Sequence, residues 1–149
     1  RGILASCTPT LRKMILGKYW NNLSAMAWKT LCRDCLAQLP KIRRRKSFGP
    51  LLPPARWWRG NAPQWDVVTT SMTGETAIVG ECKWSRTPFS HRALTRLVED
   101  MINRRPPQIS RQFEQASLQR ILLVPEIEEK FTHPHVIVVT AKEIIKALE

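Results

Sequence analysis

No apolar run in this chain approaches the ~18 residues that a membrane-spanning helix needs. No basic amphipathic segment with an aromatic face points to a membrane surface either. The first residues show no signal-peptide pattern, so a cytoplasmic protein is the expectation. No Gly-x-x-x-x-Gly-Lys-Ser/Thr stretch occurs, which excludes a P-loop nucleotide site within these residues. Cysteine is sparse: Cys7, Cys32, Cys35 and Cys82 are scattered, without the density of a secreted disulfide scaffold. Cys32-x-x-Cys35 has no second pair or His pair at ligand spacing, so both read as small buried residues rather than zinc ligands. No internal repeat and no long low-complexity segment is present. Acid is the scarcest charge, with 12 Asp+Glu against 24 Lys+Arg.

What is there follows from that imbalance. A formal charge of +12 over 149 residues exceeds what solubility needs and points to a polyanion, most simply nucleic acid. The hydrophobic fraction of 43% supports one compact domain. The chain begins Arg1-Gly2 rather than with Met, so a fragment of a longer protein is expected. Residues 1–19 read as an N-terminal extension or the tail of a preceding domain, with a short helix near Leu11–Leu16. A helix over about Leu23–Leu39 follows, capped by Asn21 or Asn22, ended by Pro40, and burying Leu23, Ala27, Leu31, Cys35 and Leu39. Strands are expected over about Gln64–Met72, Glu75–Lys83, Arg120–Val124 and His135–Val139, and helices over about His91–Asn103 and Ala141–Leu148. Gln108–Gln119 reads equally as a second helix or an ordered loop. The fold class is therefore α/β, a mixed sheet with flanking helices.

The most informative residues lie on the hairpin. If Thr73-Gly74 is a two-residue loop, Met72 pairs with Glu75 and Asp66 falls opposite Glu81. Lys83 then projects beside Glu81 on the same face. Opposed strand residues stand roughly 4.5–5.5 Å apart at Cβ, where like charges repel. Two carboxylates and a lysine gathered there would be explained by a divalent cation, Mg²⁺ or Mn²⁺. The alternative is a surface Asp with an ordinary Glu–Lys pair. Elsewhere Arg43, Arg44, Arg45, Lys46, Arg56, Arg59, Arg104 and Arg105, with Trp57 and Trp58, mix cations with aromatics, as surfaces for phosphates and unstacked bases do. Against that, at least one of the two tryptophans is expected to pack rather than bind.

Asp66 followed by Glu81-x-Lys83 on a hairpin, with helices before and after, resembles the PD-(D/E)xK nuclease superfamily. More narrowly, Ala27-Trp28-Lys29-Thr30-Leu31-Cys32-Arg33, Arg56-Trp57-Trp58, Gln64-Trp65-Asp66-Val67-Val68 and Gly80-Glu81-Cys82-Lys83-Trp84 are similar to the DUF234-type domain, which commonly follows an archaeal-type P-loop ATPase module. The resemblance runs from about Trp20 to the C-terminus. It implies a restriction-endonuclease-like core (α-β-β-β-α-β) over residues 20–149 and metal-dependent DNA hydrolysis. It also implies an ATPase partner domain in the same or another chain. Asp66, Glu81 and the Cys82 carbonyl would hold the metal, and Lys83 would orient water or stabilise the transition state. Two positions depart from the pattern. Lys29 stands where members often carry a helix Glu, and Gln64 where they often carry Glu. Lys29 is thus either a solvated helix lysine or an ion-pair partner that replaces the metal. An inactive nuclease-like module, binding nucleic acid or docking on protein, is the alternative function; a purely structural domain docked on its ATPase is a third.

Overall fold

The computed structural model describes residues 8–37 and 49–148. Among the described residues nine elements follow in order: α1 (Pro9–Leu36), β1 (Ala55–Trp57), β2 (Trp65–Thr70), β3 (Thr76–Cys82), α2 (His91–Asn103), α3 (Arg111–Gln115), β4 (Ser117–Val124), β5 (Val136–Thr140) and α4 (Ala141–Leu148). The five strands form one sheet in sequence order. β1, β2 and β3 pair antiparallel; β3, β4 and β5 pair parallel. The switch falls at β3 because a hairpin precedes it, whereas the α2 crossover follows it and returns the chain in the same direction. This is the mixed α/β sheet with flanking helices that the sequence predicts.

Each sheet face has its own core. α1 and α4 cover one face, where Trp28, Cys32 and Leu36 meet Val67, Ile78, Ile121 and Val139. α2 and α3 cover the other, where Leu94, Val98, Met101 and Phe113 meet Val79, Leu122 and Val138. Alternation along the central strands sorts the side chains: Ile121 and Leu123 face α1, and Leu122 and Val124 face α2. Gly80 lies where Val67 of β2 and Ile121 of β4 leave no room for a side chain on β3. A Cβ there would stand 2.5 Å from the Ile121 methyl and 2.9 Å from its carbonyl.

Three expectations need correction. α1 is one helix, not two segments separated at Asn21-Asn22. Thr8 caps it, its hydroxyl accepting the Leu11 N–H at 3.3 Å, and Pro9 occupies the first turn, where a missing N–H is harmless. The helix runs unbroken through Tyr19 and Trp20, and no residue from Pro9 to Ala27 is buried. Its buried face is Trp28, Cys32, Cys35 and Leu36; Leu23 is 50% exposed, and Leu31 also faces solvent. The hairpin loop is not two residues. Ser71 N–H bonds the Thr76 carbonyl at 2.8 Å, leaving Met72–Glu75 as the loop, and Gly74 adopts φ 74°. Both loops are centred on the Thr73–Gly74 bond, so the register is the one expected: Val67 pairs with Gly80 and Thr70 with Ala77. The ambiguous Gln108–Gln119 stretch resolves into the short α3 and the start of β4.

Candidate functional site

The β2–β3 ladder ends at Val67–Gly80, and Asp66 and Glu81 stand one step beyond it. A bulge in β2 decides where Asp66 goes. Ala55 pairs with Val68 but Trp57 with Trp65, so β2 carries an extra residue against β1. Trp65 consequently packs on the α2 side and Val67 on the α1 side, although a regular strand would put both on one face. Asp66 is turned towards α1. Lys29 Nζ lies 2.7 Å from its Oδ1, and the Cys82 backbone N–H donates to its Oδ2 at 3.2 Å. That carboxylate therefore satisfies a backbone donor left over where the ladder stops. The Arg33 guanidinium reaches the Asp66 carbonyl at 3.5 Å.

Glu81 is held from the opposite side. Lys83 Nζ lies 2.9 Å from its Oε2, and Arg104 Nη1 donates to its Oε1. Arg104 follows the last residue of α2 and has three partners. Besides Glu81 it donates to the Gln64 carbonyl at 3.0 Å, and its guanidinium carbon lies 4.9 Å from the Trp65 ring centre. Trp65 Nε1–H in turn donates to the Arg105 carbonyl at 3.3 Å. This clamp ties the end of α2 to the start of β2.

Asp66, Glu81, Lys83, Lys29, Gln64, Arg104 and Pro63 line one pocket of about 430 Å³. The expected grouping of Asp66, Glu81 and Lys83 is present around this pocket. The expected common strand face is not: α1 engages Asp66, and the end of α2 engages Glu81. Both carboxylates are almost fully buried, at 3% and 5% exposure, whereas Lys29 and Lys83 are partly open to solvent. Gln64 contributes its backbone carbonyl to Arg104. Cys82 is buried on the α1 side, beside Cys32. Hydrogen bonding to the Cys82 thiol, followed by burial, pushes the Cys32 thiol far above the ordinary range. Burial, then the Asp34 charge, raises Cys35.

A divalent cation was tested against this donor set. All four carboxylate oxygens already accept from a cation or a backbone N–H. Three cations and two carboxylates line the pocket, and among the described residues no three His, Cys, Asp or Glu side chains gather. In this paired arrangement the residues do not fit a resident Mg²⁺ or Mn²⁺, because the ion would meet a net positive lining.

Of the residues expected at phosphates, Arg56, Arg59 and Arg105 are exposed. Arg104 is instead a member of the carboxylate pocket, a role that sequence reasoning missed. Its only local signal is its place just after a helix; its partners lie 23 and 40 residues away. Arg43, Arg44, Arg45 and Lys46 lie outside the described residues. Trp57 is half-buried and Trp58 is exposed.

The sequence profile of DUF234, described as archaea bacterial proteins of unknown function, matches residues 7–96. That is more than half of the chain, and the protein belongs to this family. No curated protein and no solved structure matches it.

Proposed function

We propose that this domain is a PD-(D/E)xK nuclease-like module that binds nucleic acid without cutting it. One observation carries the proposal: Lys29 occupies Asp66 and Arg104 occupies Glu81, so cations stand at both carboxylates. The lining favours a phosphate over a metal. The +12 charge of the chain supplies long-range attraction for a polyanion, DNA being the simplest. Association with a P-loop ATPase domain belongs to the same proposal and rests on the family resemblance. No described helix is long and apolar enough to cross a membrane.

A second reading is a metal-dependent DNA endonuclease-like domain that hydrolyses phosphodiester bonds. It is favoured by the gathering of Asp66, Glu81 and Lys83 at one pocket. It requires Lys29 and Arg104 to leave their carboxylates.

Fluorescence anisotropy with labelled DNA, with and without Mg²⁺, separates the two. Binding should weaken steeply between ~50 and ~200 mM salt, and the DNA should stay intact. A flat salt response would refute nucleic-acid binding. Mg²⁺-dependent cleavage that is lost in Asp66→Ala, Glu81→Ala and Lys83→Ala would establish the second reading instead.

A further inference from the structure

Three pockets adjoin in a row. The carboxylate pocket shares Lys29 and Asp66 with a pocket of about 550 Å³ between α1 and β1, which Arg33 and Arg56 also line. On its other side it shares Pro63 with a pocket of about 300 Å³ lined by Trp57, Arg59 and Arg105. Neighbouring residues of β1 line opposite ends of the row, because Arg56 and Trp57 project to opposite sides of a strand. The row therefore passes the end of the sheet where β1 and β3 finish and β2 begins.

Its charges are not all internally compensated. Lys29, Lys83 and Arg104 are paired with carboxylates, but among the described residues no carboxylate pairs with Arg56, Arg59 or Arg105. Trp58 lies between Arg56 and Arg59 in sequence and is 68% exposed, the most exposed aromatic among the described residues. A lone exposed aromatic needs no explanation by itself. One that follows directly on β1, between Arg56 of one end pocket and Arg59 of the other, has the chemistry of a stacking platform beside phosphate contacts.

We propose that this row is a track for a single strand of nucleic acid, with Trp58 stacking on an unpaired base; the inference rests on the nucleic-acid-binding reading above. A duplex hides its base faces inside its own stack and would leave the indole unused. A single strand offers base faces along its length and bends around the end of the sheet. The arginines follow its phosphates at both ends of the row, and the paired cations lie between them.

The test uses labelled oligothymidylate and a hairpin duplex of equal phosphate number, titrated with wild type, Trp58→Ala and Trp58→Phe. The single strand should bind about tenfold more tightly than the duplex, the scale of one stacked base. Trp58→Ala should lose about that factor for the single strand and nothing for the duplex; Trp58→Phe should retain most of it. Unchanged thermal unfolding of Trp58→Ala, whose side chain is mostly in solvent, excludes a folding defect. Salt-sensitive duplex binding that equals single-strand binding, or single-strand affinity indifferent to Trp58→Ala, overturns the track while leaving nucleic-acid binding intact. Binding to neither probe overturns both.

Discussion

Arg104→Ala should destabilise the domain more than the loss of an ordinary surface arginine. The side chain is only 23% exposed and touches three groups. A hydrogen bond to a charged partner is worth about 1.5–3 kcal/mol, and a partly exposed cation–π contact about 0.5–1 kcal/mol. Glu81 keeps Lys83, which offsets part of the loss, so a net cost of about 2–3 kcal/mol is expected. For a domain of this size each kcal/mol lowers Tm by roughly 2–4 °C, giving a fall of about 4–12 °C by calorimetry. Arg104→Lys should recover only part, because an ammonium keeps the charge but loses the planar fork and the stacking on Trp65. Adding Glu81→Gln to Arg104→Ala should cost little more, since it neutralises the buried carboxylate left short of one partner. A Tm for Arg104→Ala within about 1 °C of wild type would refute the clamp between α2 and β2.

Two further outcomes follow from the packing. Gly80→Ala should cost about 1–3 kcal/mol in urea denaturation, because its Cβ meets the Ile121 methyl at 2.5 Å and the Ile121 carbonyl at 2.9 Å; an unchanged midpoint would show that β3 and β4 are not so closely packed. Cys32, fully buried and with its thiol pushed up by the Cys82 thiol and by burial, should resist alkylation in the native protein and react after unfolding; modification of the native protein, mapped by mass spectrometry, would contradict its placement.

The hairpin register was legible because its determinants are local: a loop centred on Thr73–Gly74 and two apolar runs. It survived a mistaken loop length because either loop keeps the same centre. α2 and α4 were legible as helices over the bounds expected, and in the structure the Ser90 hydroxyl accepts the Ala93 N–H at the start of α2. The buried face of α1 was misjudged for a geometric reason. A repeat of four advances about 40° beyond a full turn at each step, so Leu23 to Cys35 spirals through about 120° instead of keeping one face, and the expected Leu39 lies outside the described residues. Trp28, Cys32 and Leu36 are the part of the helix that meets the sheet, and only tertiary contact selects it.

At the site, Asp66, Glu81 and Lys83 were legible as a group. The β2 bulge that turns Asp66 to α1 was not, because it is defined by pairing with β1, across a loop from β2. Lys29 was legible as a departure from the family pattern, and its 2.7 Å contact with Asp66 required the fold. Arg104 could not be placed at Glu81 from sequence, since nothing local connects the end of α2 with β3.

The claim that cations occupy both carboxylates is tested most directly by calorimetric titration of Mn²⁺ into wild type and Lys29→Glu. The substitution removes a cation from Asp66 and adds a third carboxylate to the lining, turning a net positive pocket into a net negative one. Wild type should take up no Mn²⁺ at this pocket, and Lys29→Glu should gain a site that Asp66→Ala then abolishes. Stoichiometric Mn²⁺ binding by wild type, lost in Asp66→Ala and no stronger in Lys29→Glu, would contradict it.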